Sequence, residues 1–265
     1  MTTQPSLFIS HGSPDVAIAE TRATVFLRRL SAEIERPDAI IVASAHFEAR
    51  DHVLVSGDAE PETIHDFGGF DPRLHEMRYP APGAPGLAAE VAQSLADHGQ
   101  RAGIARRRGF DHGTWVPLIL AFPDADIPVV QVSVDPGKGP EHHRAVGEAL
   151  APFRRRNMLV VGSGSFTHNL REAFARIRSG EREAATPDWV SAFSDWMTQR
   201  LVAGDREALA AYRTRAPFAR ENHPTDEHLM PLYVALGAAG EGAGARKLHE
   251  SRDFGVLAME AFAFA

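Results

Sequence analysis

The chain has 265 residues, 44% hydrophobic and 24% charged, so it carries enough apolar mass to bury a core and too much to remain disordered. A formal net charge of −7 leaves no basic footprint for a nucleic acid, and the runs Arg106-Arg107-Arg108 and Arg154-Arg155-Arg156 are isolated flanks of elements. There is no cysteine, which excludes disulfides, thiolate-held zinc, iron–sulfur clusters and a cysteine nucleophile; a transition metal would have to use His, Asp or Glu.

In chain order, the first β-like run, Ser6 to Ser10, ends at His11, and Gly12 behind it permits a sharp turn. Thr21 to Glu35 has Val25, Leu27, Leu30 and Ile34 near helical spacing. A second run, Ala39 to Ala45, ends at His46 and is followed by a third, His52 to Ser56. His65 to Phe70 is a Gly-rich loop, Pro80 to Gly86 a rigid turn, and Pro85 to His98 a helix stopped by Gly99. Gly103 to Arg107 reads as a strand, His112 as a turn residue ahead of a helix over Trp115 to Ala121, and Ile127 to Val134 as a strand. Helix Pro140 to Phe153 and strand Asn157 to Gly162 follow. Helices are then predicted over Asn169 to Arg178, Asp188 to Val202, Asp205 to Arg213 and Thr225 to Gly237, and strands over Arg246 to Glu250 and Phe254 to Phe264. The alternation implies an α/β layered fold, with 1–265 as a single domain. The N-terminus shows no signal-peptide pattern and no run approaches the roughly 18 apolar residues of a membrane span, so the expected location is cytoplasmic, without membrane or nucleic-acid partners.

Thirteen histidines are a heavy load for this length, and several sit in Gly-, Ser-, Asp- and Pro-rich segments after strands, where functional groups concentrate. His11, His46 and His223, on three distant loops, form a plausible metal set, since neutral imidazole suits iron, zinc or copper; each alone reads as a hydrogen-bonded structural histidine. His168, after the Gly162-Ser163-Gly164-Ser165 loop, is placed for proton transfer or else sits incidentally in a capping loop. His112 either has its ring oriented by Asp111 or donates to a substrate oxygen. His228 reads as a surface residue, because five residues from His223 it exceeds the i,i+4 spacing of a helical ligand pair. Gly162-Ser163-Gly164-Ser165-Phe166 lacks a nucleophile elbow, with Phe at the last position, which argues against a serine hydrolase.

Seven blocks taken together resemble a known family. They are Ser10-His11-Gly12-Ser13-Pro14, Ser44 to Glu48, His65 to Phe70, Tyr79 to Gly83, Asp111 to Leu118, Gly162 to Leu170 and Asn222 to His228. Their order is that of the DODA-type extradiol dioxygenases, class III LigB-like ring-cleaving enzymes that include the 4,5-DOPA dioxygenases. The resemblance implies a central mixed β-sheet flanked by helices in a LigB-like layered architecture. It implies one divalent metal ion per subunit, Fe(II) for ring cleavage with Zn(II) as a bound alternative. By motif it assigns His11, His46 and His223 as ligands, His168 as the active-site acid–base and His112 as the residue that hydrogen-bonds substrate or oxygen. Other class III members use two His and one Glu; His223 stands at the third position here, and an all-histidine set is also a familiar zinc set.

The expected reaction is extradiol cleavage of a catechol with O2 to a ring-opened semialdehyde, by a monomer or homodimer. His65, Phe67 and Tyr79, with Phe70, are expected to line an aromatic substrate pocket. A zinc hydrolase on the same histidines, or a nonenzymatic metal- or small-molecule-binding protein, are the rival readings.

Overall fold

The computed structural model describes residues 3–265. The strands are Ser6–Ser10 (β1), Ala39–Glu48 (β2), Val53–Ser56 (β3), Ala102–Ala105 (β4), Val129–Val134 (β5), Met158–Gly164 (β6), Ala245–His249 (β7), Arg252–Asp253 (β8), Leu257–Ala258 (β9) and Ala261–Phe264 (β10). Eight of them form one sheet in the order β4-β3-β5-β2-β6-β1-β10-β7, while β8 and β9 pair separately. The runs β1, β6, β2 and β5 are buried along almost their whole length and pair in parallel. That is the expected form of strands covered on both faces. Antiparallel pairs join β3 to β5, β10 to β1 and β7 to β10, so the sheet is mixed.

The helices are Arg22–Arg29 (α1), Arg73–Glu76 (α2), Pro85–Asp97 (α3), His112–Ala121 (α4), Pro140–Arg154 (α5), Leu170–Ser179 (α6) and Asp188–Ala203 (α7). Three short ones, Arg206–Ala210 (α8), Tyr212–Arg215 (α9) and Ala219–Asn222 (α10), lead to Met230–Ala239 (α11). Strand alternation divides the core into layers. Ile40 and Val42 pack with Leu27, Leu30, Trp115 and Val116 on the α1/α4 face, and Ile41 and Ala43 with Val91, Leu150, Phe153 and Val234 on the α3/α5/α11 face. Phe8, Phe166, Phe193, Tyr212 and Tyr233 form a third cluster under α7 to α9. Among the described residues no helix is long and apolar enough to cross a membrane.

Two predicted elements differ. Phe254 to Phe264 is not one strand: Phe254 and Gly255 sit at φ of 52° and 67°, which turns the chain back so that β8 pairs with β9 before β10 begins. The helix expected from Thr225 starts only at Met230, because Pro231 has no N–H to donate to the carbonyl of Glu227 and serves as a first-turn residue instead. The segment from Thr225 to Leu229 is therefore turns, which matters for His228.

The tail of β6 runs directly beneath that segment. Ser165 N–H donates to the carbonyl of His228 at 2.8 Å, and a Cβ on Gly164 would lie 2.2 Å from the same oxygen. We expect Gly164→Ala to destabilise the fold by about 1–3 kcal/mol, as overpacking does, and to move His228, read as a lowered Tm together with weakened metal binding.

Glu260, between β9 and β10, is buried, with one oxygen 2.8 Å from Arg252 Nη1 and the other without a partner. Burial pushes its pKa up to about 7 against the pull of Arg252. A carboxyl raised in the fold stabilises most below its unfolded pKa and loses that contribution as pH rises toward 7. Tm should therefore fall between about pH 4.5 and 7 in wild type, with a flatter profile in Glu260→Gln.

Candidate metal centre

The register of the parallel strands builds the site. Ser10 pairs with Gly164 and Ser44 with Ser163, so the ends of β1, β2 and β6 reach the same edge of the sheet. Ligands collect at such carboxyl ends in open α/β sheets. His11 follows β1 directly; Gly12, at φ 68°, turns the chain away in a left-handed conformation that residues with a side chain rarely adopt. His46 lies within β2, where the pairing with β5 shifts between Ala43 and Glu48.

The nitrogens of His11, His46 and His228 converge, with His46 Nε2 3.1 Å from His11 Nε2 and 3.2 Å from His228 Nε2. Their other nitrogens explain why. Ser163 Oγ donates its single proton to the carbonyl of Gly113, so toward His11 it can only accept, and it does so from Nδ1–H at 3.0 Å. His228 Nδ1–H donates to Glu227 Oε1 at 2.8 Å. His46 turns Nδ1 toward Asp66 Oδ2 at 3.5 Å, which favours the proton on that nitrogen. His11 and His228 are thus held as Nδ1–H tautomers and the Asp66 charge favours the same form of His46, so that three Nε2 lone pairs face one another. Without a cation between them they repel. Ligands at the roughly 2.0–2.1 Å of a metal–imidazole bond are spaced by about 3.0–3.4 Å, the separation seen here, so the donors fit a divalent metal. Burial, and then neighbouring imidazoles, hold His11 and His228 well below the ordinary histidine pKa; burial and then His112 lower His46 to about 3. All three rings are neutral at pH 7, the form that binds metal.

His112 and His168 stand beside this cluster. His112 opens α4, whose cap Asp111 accepts from Thr114 N–H at 3.1 Å and is held by Ser44 and Arg108. Asp111 therefore does not orient the His112 ring as expected; Asp66 does, accepting both the backbone N–H (3.0 Å) and Nδ1–H (2.9 Å) of His112. Bonds and charge from His112 and His46 hold the Asp66 carboxyl below the usual carboxylate range even though burial opposes them. The His168 ring stacks on that of His228, centroids 3.4 Å apart, with Nδ1 3.8 Å from Glu227 Oε1. Burial, then neighbouring histidines, keep it well below its ordinary pKa.

A cavity of about 320 Å³ opens onto these rings. His11, His46, Asp66, His112, His168 and His228 form its floor, and Phe67, Phe70 and residues of α6 form its walls.

Residues 5–261 match the family described as the catalytic LigB subunit of aromatic ring-opening dioxygenase. The chain belongs to the LigB family. Its relatives include a 4,5-DOPA dioxygenase extradiol of Beta vulgaris, 39% identical over 263 residues, covering 98% of this chain and 96% of that protein. Another of the same name in Escherichia coli K12 is 35% identical over 240 residues, covering 89% and 86%. The crystal structure of an uncharacterized protein from Escherichia coli K12 superposes with a TM-score of 0.79 at 29% identity, over 99% of this chain and 100% of that one.

In this LigB chain, the site differs from the sequence expectation at four residues. His223 is not with His11 and His46. It is fully buried after α10, its Nε2–H donating to the carbonyl of Phe166 at 3.0 Å and its ring 5.5 Å from Phe193, where it pins the loop that carries His168. His228, expected on the surface, is buried and takes the third position. Tyr79 does not line the cavity: it is buried, and its OH donates to the carbonyl of Phe122 at 3.2 Å. His65 stands behind the wall, edge-on to Phe67 and Trp115, with Nε2 3.1 Å from the Met77 carbonyl. Phe67 does line the cavity. Sequence reasoning missed Asp66, Glu227 and Ser163, the partners that set the tautomers. Glu227 beside His228 was the readable signal, a carboxylate next to a ligand imidazole.

Proposed function

We propose that this chain is an extradiol ring-cleavage dioxygenase that opens a catechol with O2 to a semialdehyde, both oxygen atoms entering the product. Its metal would be one Fe(II) held by His11, His46 and His228. The observation that carries this is the meeting of three Nε2 lone pairs, at 3.1 and 3.2 Å, on the floor of a cavity in a LigB-family chain. A ferrous ion held there supplies the Lewis acidity and redox capacity that ring opening with O2 needs, and three protein ligands leave positions for substrate. Within this reading the chain forms one catalytic domain.

The protein's own groups then handle protons. His168 is neutral, lines the cavity and has no hydrogen bond to protein at its ring, so a catechol hydroxyl can pass it a proton and later recover one for ring opening. His112, with Nδ1–H on Asp66, presents Nε2 as its free polar atom and orients the second hydroxyl. Phe67 meets the His112 ring edge-on, centroids 5.7 Å apart, and lines the cavity beside it.

The test is anaerobic reconstitution with Fe(II) followed by oxygen uptake over a catechol panel. One O2 consumed per ring and a yellow product are expected. A protein that hydrolyses esters with zinc, without oxygen, and that leaves every catechol intact under Fe(II), overturns the proposal.

A further inference from the structure

The upper cavity carries information that the histidines do not. α6 turns Leu170, Ala173, Phe174 and Ile177 toward it, the i, i+3, i+4, i+7 stripe with which a helix normally faces a core. Here the stripe faces the opening. Leu170 is 48% and Phe174 37% exposed, although both are large apolar side chains. Phe67 and Phe70 face them across the cavity, with Leu257 also in its wall.

Among the described residues no Lys or Arg lines the cavity. The only formally charged side chain there is Asp66, already engaged by His112 and His46. Arg108, which reaches this region, is tied to Asp111 at 2.6 Å and to the His46 carbonyl at 3.1 Å. With the catechol oxygens directed at the metal on the floor, a carboxylate on the far side of the ring would leave water for an apolar wall that offers it no cationic side chain, an arrangement that costs affinity. An alkyl or aryl group would cover the exposed α6 stripe.

We propose that the preferred substrates are catechols bearing an uncharged apolar ring substituent, selected by the wall of Leu170, Phe174, Ile177, Phe67 and Phe70. This rests on the catechol reading above. Phe174, partly exposed at the mouth, is the specificity-determining position most open to change without loss of the fold.

Two readouts separate this inference from the reaction itself. The first is anaerobic binding to the Fe(II) protein by calorimetry, with 4-methylcatechol, 4-propylcatechol, 3,4-dihydroxybenzoate, DOPA and dopamine as probes; the second is kcat/KM for the same compounds. Each methylene buried on the wall should tighten binding about fourfold, so the propyl compound should exceed the methyl compound by roughly 15-fold. The benzoate and DOPA should bind at least about tenfold more weakly than 4-propylcatechol. Phe174→Arg should reverse that order by improving the benzoate and weakening the propyl compound. Ring cleavage with DOPA, dopamine or the benzoate preferred over 4-propylcatechol in both readouts overturns the substituent inference and leaves the dioxygenase reading standing. The apolar order in binding with no oxygen consumed does the reverse.

Discussion

Purified His228→Ala is expected to bind Fe(II) or zinc more than about 100-fold more weakly than wild type and to lose ring-cleaving activity with it. Loss of an outer partner alone commonly costs 10–100-fold, and here a ligand itself is removed. His223→Ala should behave differently. It deletes a buried Nε2–H to Phe166 bond and leaves a void beside Phe193, at a cost of about 2–5 kcal/mol, so Tm falls while the folded fraction keeps one metal per chain. His223→Gln, which keeps an N–H donor, should recover part of the lost stability and bind metal normally. Metal analysis and thermal melts of the three variants decide the matter: a folded His223 variant without metal beside a His228 variant that retains it would reverse the ligand assignment.

The second large effect is on turnover at constant metal content. His168→Ala should lower kcat by about 10²–10⁴, the usual contribution of a general acid–base, with metal stoichiometry unchanged. His65→Ala is the control: the ring stands behind Phe67 outside the cavity lining, so kcat should stay within a few-fold. Equal losses in the two variants would remove His168 from the chemistry and assign both rings to structure.

These predictions also show where the sequence could be read and where it could not. The apolar runs of β1, β2 and β6 read as strands of an α/β fold, and a histidine at or near the end of two of them pointed to the carboxyl edge where ligands collect. His228 was hidden because the five residues from His223 to His228 were judged by helical spacing. Pro231 delays the helix to Met230, so no helical spacing applies there, and the turn sends His228 inward and His223 toward Phe166. Tyr79 sat in a recognisable block and looked like a pocket aromatic, but its burial against the Phe122 carbonyl depends on how the loop folds onto the end of α4. Asp66 and Ser163 were invisible for another reason. Which imidazole nitrogen keeps its proton is decided by partners up to 152 positions away, as with His11 and Ser163. No local pattern encodes that.

Asp66 also constrains how this enzyme can be altered. One carboxylate serves the ring of His46 on a strand and the ring of His112 on a helix, and the same short loop supplies Phe67 and Phe70 to the cavity wall. Grafting that loop from a relative to change substrate range would therefore re-aim two imidazoles as well. Engineering by recombination should hold position 66 as aspartate and vary Phe174 and Ile177 on α6, which line the opening but lie a turn or more beyond His168.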